Sequence, residues 1–201
     1  MKRAFFILMT VLPIISYSQS IGIKGGILVS NMKSYSGYVS EKSLIGPSIG
    51  LAYQHDFDRV KLFVEPTYST KGFSLDYKVT DNAGNLIGSE RAKYKFNYLE
   101  IPVLVGYNLI EKDFYLGINA GISPNFLISA KVKSPRYKAD IEDNNGIGID
   151  LLAGGYLGYK FSENVFGGLS LRYGKGLSKP NKNSDGTYSY FNTFINLSYK
   201  F

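Results

Sequence analysis

Apolar and polar residues alternate along several segments of this chain. The clearest segment is 98–108, and its two faces comprise Leu99, Ile101, Val103, Val105 and Tyr107 on one side and Glu100, Pro102, Leu104, Gly106 and Asn108 on the other. The same alternation recurs at 60–71, with Phe63 as an exception, and at 147–161 and 191–201. A period of two residues is typical of a β-strand with one apolar face, and helical spacing fits none of these segments.

Counting such segments predicts eight β-strands, at 20–30, 45–56, 60–72, 94–110, 113–126, 147–161, 164–175 and 190–201. The connections between them alternate in length. The segments 31–44, 73–93, 127–146 and 176–189 are long, whereas 57–59, 111–112 and 162–163 are short. An even strand number with this alternation predicts an all-β fold: a single eight-stranded antiparallel up-and-down transmembrane β-barrel with short periplasmic turns and long outer loops.

The first residues have the pattern of a targeting segment. Lys2 and Arg3 precede an apolar stretch at 4–15, and Ser16 and Ser18 supply small residues before a cleavage site. We therefore expect residues 1–18 to be a signal peptide and residues 19–201 to be a barrel domain. With no Cys after this segment, a lipoprotein is not expected.

The face opposite the apolar one distinguishes a membrane barrel from a soluble barrel. It is rich in Gly, Ser and Asn and carries few charges, which suits a narrow polar lumen better than a solvated exterior. Aromatic residues near predicted strand ends, including Tyr53, Phe57, Tyr107 and Phe161, suit the interfaces of an outer membrane. A soluble lipocalin-like carrier, with the apolar face turned inward, remains the alternative.

Several short motifs carry a resemblance to a known family. They are the Gly-rich run 22–27 followed by Ser30 and Asn31, the run Tyr98-Leu99-Glu100-Ile101-Pro102, the run 117–121, and the Gly-rich segment 150–161. Together they resemble the PorT-like outer-membrane β-barrel family of Bacteroidota, whose barrels are similar to the eight-stranded OmpX and OmpA type. The C-terminal Tyr199-Lys200-Phe201 is similar to the terminal aromatic signature of such barrels. The resemblance implies an outer-membrane, porin-like barrel in a Gram-negative bacterium, and it implies no particular role in secretion.

Composition excludes much of enzyme chemistry. The chain has no Cys and a single His, so a thiolate zinc site, a cysteine nucleophile and a His-based metal site are not expected. His55 and Asp56 are neighbours on a strand and point to opposite faces, so they do not form part of a catalytic triad. We therefore predict no enzyme activity, no catalytic residues, no cofactor and no metal.

Charged residues on the inward face form the candidate site. We predict a structural polar cluster in the lumen comprising Lys24, Glu65, Glu100 and Arg172. Buried acids and bases pair to offset the cost of removing each from water. Counting from the short turns places Glu100 and Arg172 at similar heights, which predicts an ion pair across the lumen.

These features predict an integral outer-membrane protein with a structural or surface-interaction role. Two alternatives remain open at this point: a narrow channel for small solutes, and an accessory factor of type IX-like secretion or envelope assembly. The expected partners are outer-membrane lipid and lipopolysaccharide, with a protein partner at the outer loops or periplasmic turns as a further expectation. The net charge of +7 is scattered along the chain, so no nucleic-acid partner is expected, and we predict a monomer.

Overall fold

The computed structural model describes residues 19–32, 40–81, 83, 85–141, 146–178 and 186–201. Within these ranges the chain forms eleven β-strands. In chain order they are β1 (Gln19–Met32), β2 (Ser40–Phe57), β3 (Val60–Val64), β4 (Thr67–Thr80), β5 (Leu86–Glu100), β6 (Val103–Glu111), β7 (Phe114–Lys133), β8 (Lys138–Asp140), β9 (Ile147–Lys160), β10 (Val165–Gly176) and β11 (Tyr188–Lys200). No helix in the described part of the chain is long and apolar enough to cross a membrane.

The strands close into an antiparallel ring. β1 pairs with both β2 and β11, and the ring continues through β10, β9 and β7. β3 and β4 are two halves of one barrel strand, as are β5 and β6, whereas β8 pairs only with β7 in the described structure. Eight strands therefore surround the lumen, as the sequence predicted.

Prolines explain both interruptions. Pro66 separates β3 from β4 and Pro102 separates β5 from β6, because proline has no N–H to donate to a neighbouring strand. Their carbonyls are nevertheless bonded: the Leu51 N–H donates to Pro66 at 2.9 Å and the Glu65 N–H donates to Pro102 at 3.0 Å. The breaks therefore interrupt two adjacent strands without opening the ring.

The two ends of the barrel differ. At the turn end, short connections follow β2, β6 and β9, and Asp58 has a φ of 58° in the first of them. The start of β1 and the end of β11 meet at this same end, where the Phe201 N–H donates to the Gln19 carbonyl at 3.0 Å. We call the opposite end, which carries the connections after β1, β4, β7 and β10, the loop end.

The predicted long connections are partly wrong. Most of segment 73–93 is strand, because β4 continues to Thr80 and β5 begins at Leu86. β7 likewise continues to Lys133. Pairing persists there while the outward residues change from apolar to polar, so the apolar signal ends before the strand does. The predicted signal peptide, residues 1–18, and the segments 33–39, 142–145 and 179–185 lie outside the described residues.

The barrel is apolar outside and mainly polar inside. Large apolar side chains point outward and are well exposed, for example Ile23, Ile45, Ile49, Val105, Ile118, Ile128, Ile147, Leu171, Ile195 and Leu197. Buried polar residues line the interior, among them Lys24, Ser48, Lys71, Asn108, Asn119, Asp150 and Asn192. This arrangement is that of a barrel whose outer surface contacts lipid hydrocarbon.

Candidate functional site in the barrel lumen

A carboxylate with two cations lies inside the barrel, and we call it the Glu65 cluster. Lys24 from β1 bonds to Glu65, and Arg172 from β10 forms two hydrogen bonds to the same carboxylate, one of them 2.8 Å from Nη2 to Oε1. All three side chains are at most 5% exposed. The Lys24 ammonium also lies 4.1 Å from the centre of the Phe194 ring. The cluster joins three separate strands across the lumen.

Local structure explains why these three side chains meet. Glu65 lies in the break between β3 and β4, where the strand bends at Pro66. Arg172 lies opposite Gly154 of β9, and a Cβ on that glycine would be 2.8 Å from the Arg172 Cγ. Because Gly154 has no side chain, the aliphatic part of Arg172 can pack beside it.

A second cluster has the opposite charge balance, and we call it the Lys71 cluster. The Lys71 ammonium from β4 bonds to Glu100 of β5 and to Asp150 of β9, the latter at 2.5 Å. The Tyr190 hydroxyl donates to Asp150 at 2.6 Å. The Tyr190 and Tyr98 rings lie 4.2 and 5.2 Å from the ammonium. One cation thus holds two carboxylates, where the Glu65 cluster has one carboxylate holding two cations.

Aromatic layers fill the lumen beside these clusters. Towards the turn end, Phe63 packs on Tyr156 at 5.4 Å, and the Tyr156 hydroxyl donates to Asn108 at 2.6 Å. Towards the loop end, Phe96 packs on Tyr188 at 5.7 Å. Two cavities of about 40 and 50 Å³ lie near the turn end, which is room for a few water molecules. Each of these two cavities is too small for a solute much larger than water.

A third charged group lies at the turn end and is more open. Asp56 accepts hydrogen bonds from Lys61 at 2.8 Å and Gln54 at 2.6 Å, and Lys200 lies 3.5 Å from its second oxygen. His55 is the residue before Asp56, and its ring packs on Phe57 at 4.4 Å. The two neighbours occupy opposite faces of β2, so the structure does not bring His55 and Asp56 together as a catalytic pair.

The four residues of the predicted lumen cluster fall into two clusters. Lys24, Glu65 and Arg172 meet, but Arg172 bonds to Glu65 and Glu100 bonds to Lys71. The predicted ion pair between Glu100 and Arg172 is therefore wrong, because barrel shear and the breaks at Pro66 and Pro102 shift the heights that were counted from the turns.

Two charged members of these clusters were not predicted from the sequence. Lys71 and Asp150 both lie at inward positions of alternating segments, so the alternation could have placed them in the lumen. Their pairing joins β4 to β9, which are not adjacent strands, and no local pattern reports such a contact. Within the described residues, no group of three or more His, Cys, Asp and Glu side chains could hold a metal ion.

A closed antiparallel ring with an apolar exterior and a filled polar lumen defines an integral β-barrel membrane protein. The chain belongs to the outer membrane protein beta-barrel domain family, whose model matches residues 17–197. It is thus located in the outer membrane, and the soluble lipocalin-like alternative is wrong.

Solved structures with similar folds come from several bacteria. Neisserial surface protein A is 15% identical, with 90% of this chain and 97% of that chain covered and a TM-score of 0.49. Ail, the attachment invasion locus protein of Yersinia pestis, is 15% identical, with 92% and 100% covered and a TM-score of 0.47. The outer membrane protein OprG from Pseudomonas aeruginosa is 13% identical, with 92% and 96% covered and a TM-score of 0.44. A search of the curated proteins finds no match.

Proposed function

We propose that this protein is a closed, non-enzymatic outer-membrane barrel that binds a protein partner with its loop-end surface. The observation that carries the proposal is the projection of β4 and β5 beyond the end of β7. β7 ends at Lys133, opposite Lys93 of β5, and among the described residues the pairing of β2 with β4 is seen from Ser40, opposite Asp76. Beyond those positions, residues 77–80 pair with residues 86–90, among the described residues.

The base of this hairpin is held in place by side chains. The Tyr77 hydroxyl donates to Glu90 at 2.9 Å, and Arg136 donates to the other oxygen of Glu90 at 2.6 Å. Tyr77 also lies 2.8 Å from the Ser134 hydroxyl. These bonds tie the hairpin to the turn after β7, so it projects as a supported arm.

The far end of the hairpin carries apolar side chains. Leu86 is 61% exposed and Ile87 is 62% exposed. Leu86 lies opposite Thr80, and Ile87 is the extra residue of a β-bulge between the Leu86 and Gly88 pairings. Exposed apolar residues on a supported strand suit a partner that buries them and adds main-chain hydrogen bonds along the strand edge.

The lumen clusters support the other half of the proposal. A channel needs a continuous polar path, but side chains of the Glu65 cluster, the Lys71 cluster and the aromatic layers occupy the interior. We therefore expect the folded barrel to show no stepwise conductance in a planar bilayer. A porin recorded in the same bilayer is the positive control, and reproducible conductance steps from this barrel would favour the narrow-channel alternative.

Photo-crosslinking tests the hairpin as the binding element. A photoreactive residue at Leu86 should give a discrete protein adduct on intact cells, and Ile87→Ser in the same chain should reduce it. Leu177 is 56% exposed and lies after β10, so a photoreactive residue there is the matched control. Equal adducts at both positions, or none at Leu86, would contradict the proposal.

Three finer assignments are part of the proposal. We infer a PorT-like barrel from a member of the Bacteroidota, a signal peptide at residues 1–18, and a turn end that faces the periplasm. The resemblance of the run Tyr98 to Pro102 to that family supports the first. N-terminal sequencing of the membrane-inserted protein should begin at Gln19, and protease added to intact cells should cut the β4–β5 hairpin.

A further inference from the structure

Four lysines form a compact array on the outside of the barrel near the loop end. Lys93 and Lys95 of β5 lie directly opposite Lys133 and Lys131 of β7. All four side chains are exposed, while the intervening Ala92, Phe96, Ala130 and Val132 are buried. The lysines therefore share the outer face of two adjacent strands, and we call them the lysine array.

The array has little compensation from acidic side chains. Among the ion pairs of described residues, its one acidic contact is Asp140, 4.0 Å from Lys131 and 78% exposed. On β4, the residues opposite Lys93 and Lys95 are Ser74 and Gly72. On β8, Lys138 lies opposite Lys133. Like charges directly opposite each other on a sheet are destabilising, so a bound anion would stabilise this arrangement.

The neighbouring position shows what a compensated charge looks like on this strand. Arg91 is the next outward residue of β5. It donates a hydrogen bond of 2.6 Å to Asp76, the residue opposite it on β4. The chain thus pairs its outward charge at Arg91 but leaves Lys93 and Lys95 without a carboxylate in the described structure. This contrast distinguishes the lysine array from ordinary surface charge.

The position of the array relative to the apolar band of the barrel indicates the class of anion. Further along the same outer face are the exposed apolar residues Leu99 of β5 and Phe126 and Ile128 of β7. Lys95 is four residues from Leu99, about 13 Å along the strand. The array therefore lies just beyond the apolar band, at the height of the polar headgroups of a bilayer.

We propose that the lysine array binds the phosphorylated headgroup of an outer-leaflet lipid with two or more phosphates, of the lipopolysaccharide type. Two lysine pairs on adjacent positions suit two anionic groups on one molecule, and the acyl chains of that molecule would cover Leu99, Phe126 and Ile128. The inference rests on the proposed orientation, in which the turn end faces the periplasm, and is independent of partner binding by the hairpin.

Lipid binding by matched variants tests the proposal. The array variant carries Lys93→Gln, Lys95→Gln, Lys131→Gln and Lys133→Gln. The control variant carries four Lys→Gln changes at other exposed positions: Lys78, Lys112, Lys160 and Lys175. Folding of each is checked by its heat-modifiable mobility on a gel. Binding of purified lipopolysaccharide to the folded barrels in detergent should weaken at least about tenfold in the array variant and little in the control.

The ligand arms separate the sources of phosphate. Dephosphorylated lipopolysaccharide should bind the wild-type barrel as weakly as intact lipopolysaccharide binds the array variant. Inorganic phosphate at equal phosphate concentration should not compete with the lipid. Equal weakening in both variants, no weakening in the array variant, or full competition by inorganic phosphate would overturn the proposal.

A stability measurement keeps the proposal testable without a binding constant. In zwitterionic detergent the array variant should resist urea at least as well as wild type, because it has lost repulsion between opposed lysines. Addition of lipopolysaccharide should raise the unfolding midpoint of wild type and of the control variant, but not that of the array variant. A rise of the same size in all three would overturn it.

Discussion

Two groups in this molecule have the same composition, Lys, carboxylate and Arg, in different surroundings. In the Glu65 cluster the side chains are 1 to 5% exposed, and the strands that carry them surround the lumen. At the hairpin base, Asp76 bonds to Lys42 and Arg91, and these side chains are 26 to 49% exposed. The same three functional groups thus occur once in a dry interior and once beside water.

The difference in burial indicates which charged group stabilises the whole barrel. Water cannot solvate the buried Lys24 and Arg172 in place of the Glu65 carboxylate. Removal of that carboxylate therefore leaves two unpaired cations in a low-dielectric interior. At the hairpin base, hydrogen bonds from Arg91 and Lys42 hold the pKa of Asp76 well below its usual range, but water can solvate each partner when the contact breaks. We expect the first group to affect global stability and the second to affect local order.

The largest effect is expected for Glu65→Gln. The substitution leaves Lys24 and Arg172 buried without an anion, and breaking a buried pair in this way costs about 3–5 kcal/mol. Urea unfolding of the barrel in lipid vesicles measures the loss. Glu163→Gln, at an exposed position of the turn after β9, is the control, and equal stability of the two variants would contradict the comparison.

Lys24→Met should have a smaller effect. The Glu65 carboxylate keeps both hydrogen bonds to Arg172, so the remaining pair is balanced, and the lost charged hydrogen bond costs about 1.5–3 kcal/mol. The double variant Glu65→Gln with Lys24→Met should be more stable than Glu65→Gln alone, since it contains one buried cation instead of two. Additive losses in the same unfolding assay would show that the two residues are not coupled.

Asp76→Asn should leave the unfolding midpoint of the barrel unchanged and accelerate hydrogen exchange in the β4–β5 hairpin. Because the pKa of Asp76 is lowered in the folded protein, the contact is present at neutral pH and is lost only as pH falls through that lowered pKa. Exchange in wild type, corrected for the intrinsic rate, should therefore be constant between about pH 5 and 8. A fall in the global midpoint would remove the distinction between the two groups.

Salt should produce the smallest change. At about 1 M NaCl the Debye length is roughly 3 Å, so exposed pairs are screened and buried pairs are much less affected. The hydrogen-exchange difference between Asp76→Asn and wild type should shrink, while the stability difference between Glu65→Gln and wild type should persist. Loss of the latter difference in salt would show that water reaches Glu65.

The strand pattern was accessible from the sequence because each strand has lipid on one side. At 147–161 the outward residues Ile147, Ile149 and Leu157 are apolar and exposed, as the alternation predicted. The same rule failed at 73–93, where outward positions such as Lys93 are polar and lie beyond the apolar band. Pairing continues there without an apolar face to report it, so strand ends at the loop end could not be predicted.

Lumen contacts were only partly accessible. Alternation identifies Lys24, Glu65, Glu100 and Arg172 as inward, which places all four inside the barrel. It does not give their heights, because these depend on the stagger between strands and on the breaks at Pro66 and Pro102. Glu100 was therefore assigned to Arg172, when its partner is Lys71 on the adjacent strand.

The pairing of β1 with β11 has a consequence for biogenesis. Ser20 lies opposite Lys200 and Met32 lies opposite Tyr188, so the seam joins the first and last strands of the ring. Such contacts have the longest loops to close, and closure of this kind is slow. Until the last strand is synthesised, both seam strands present unpaired N–H and C=O groups that hydrocarbon cannot satisfy. Insertion of the closed ring must therefore await synthesis of β11, and a variant that lacks residues 188–201 should not enter the bilayer.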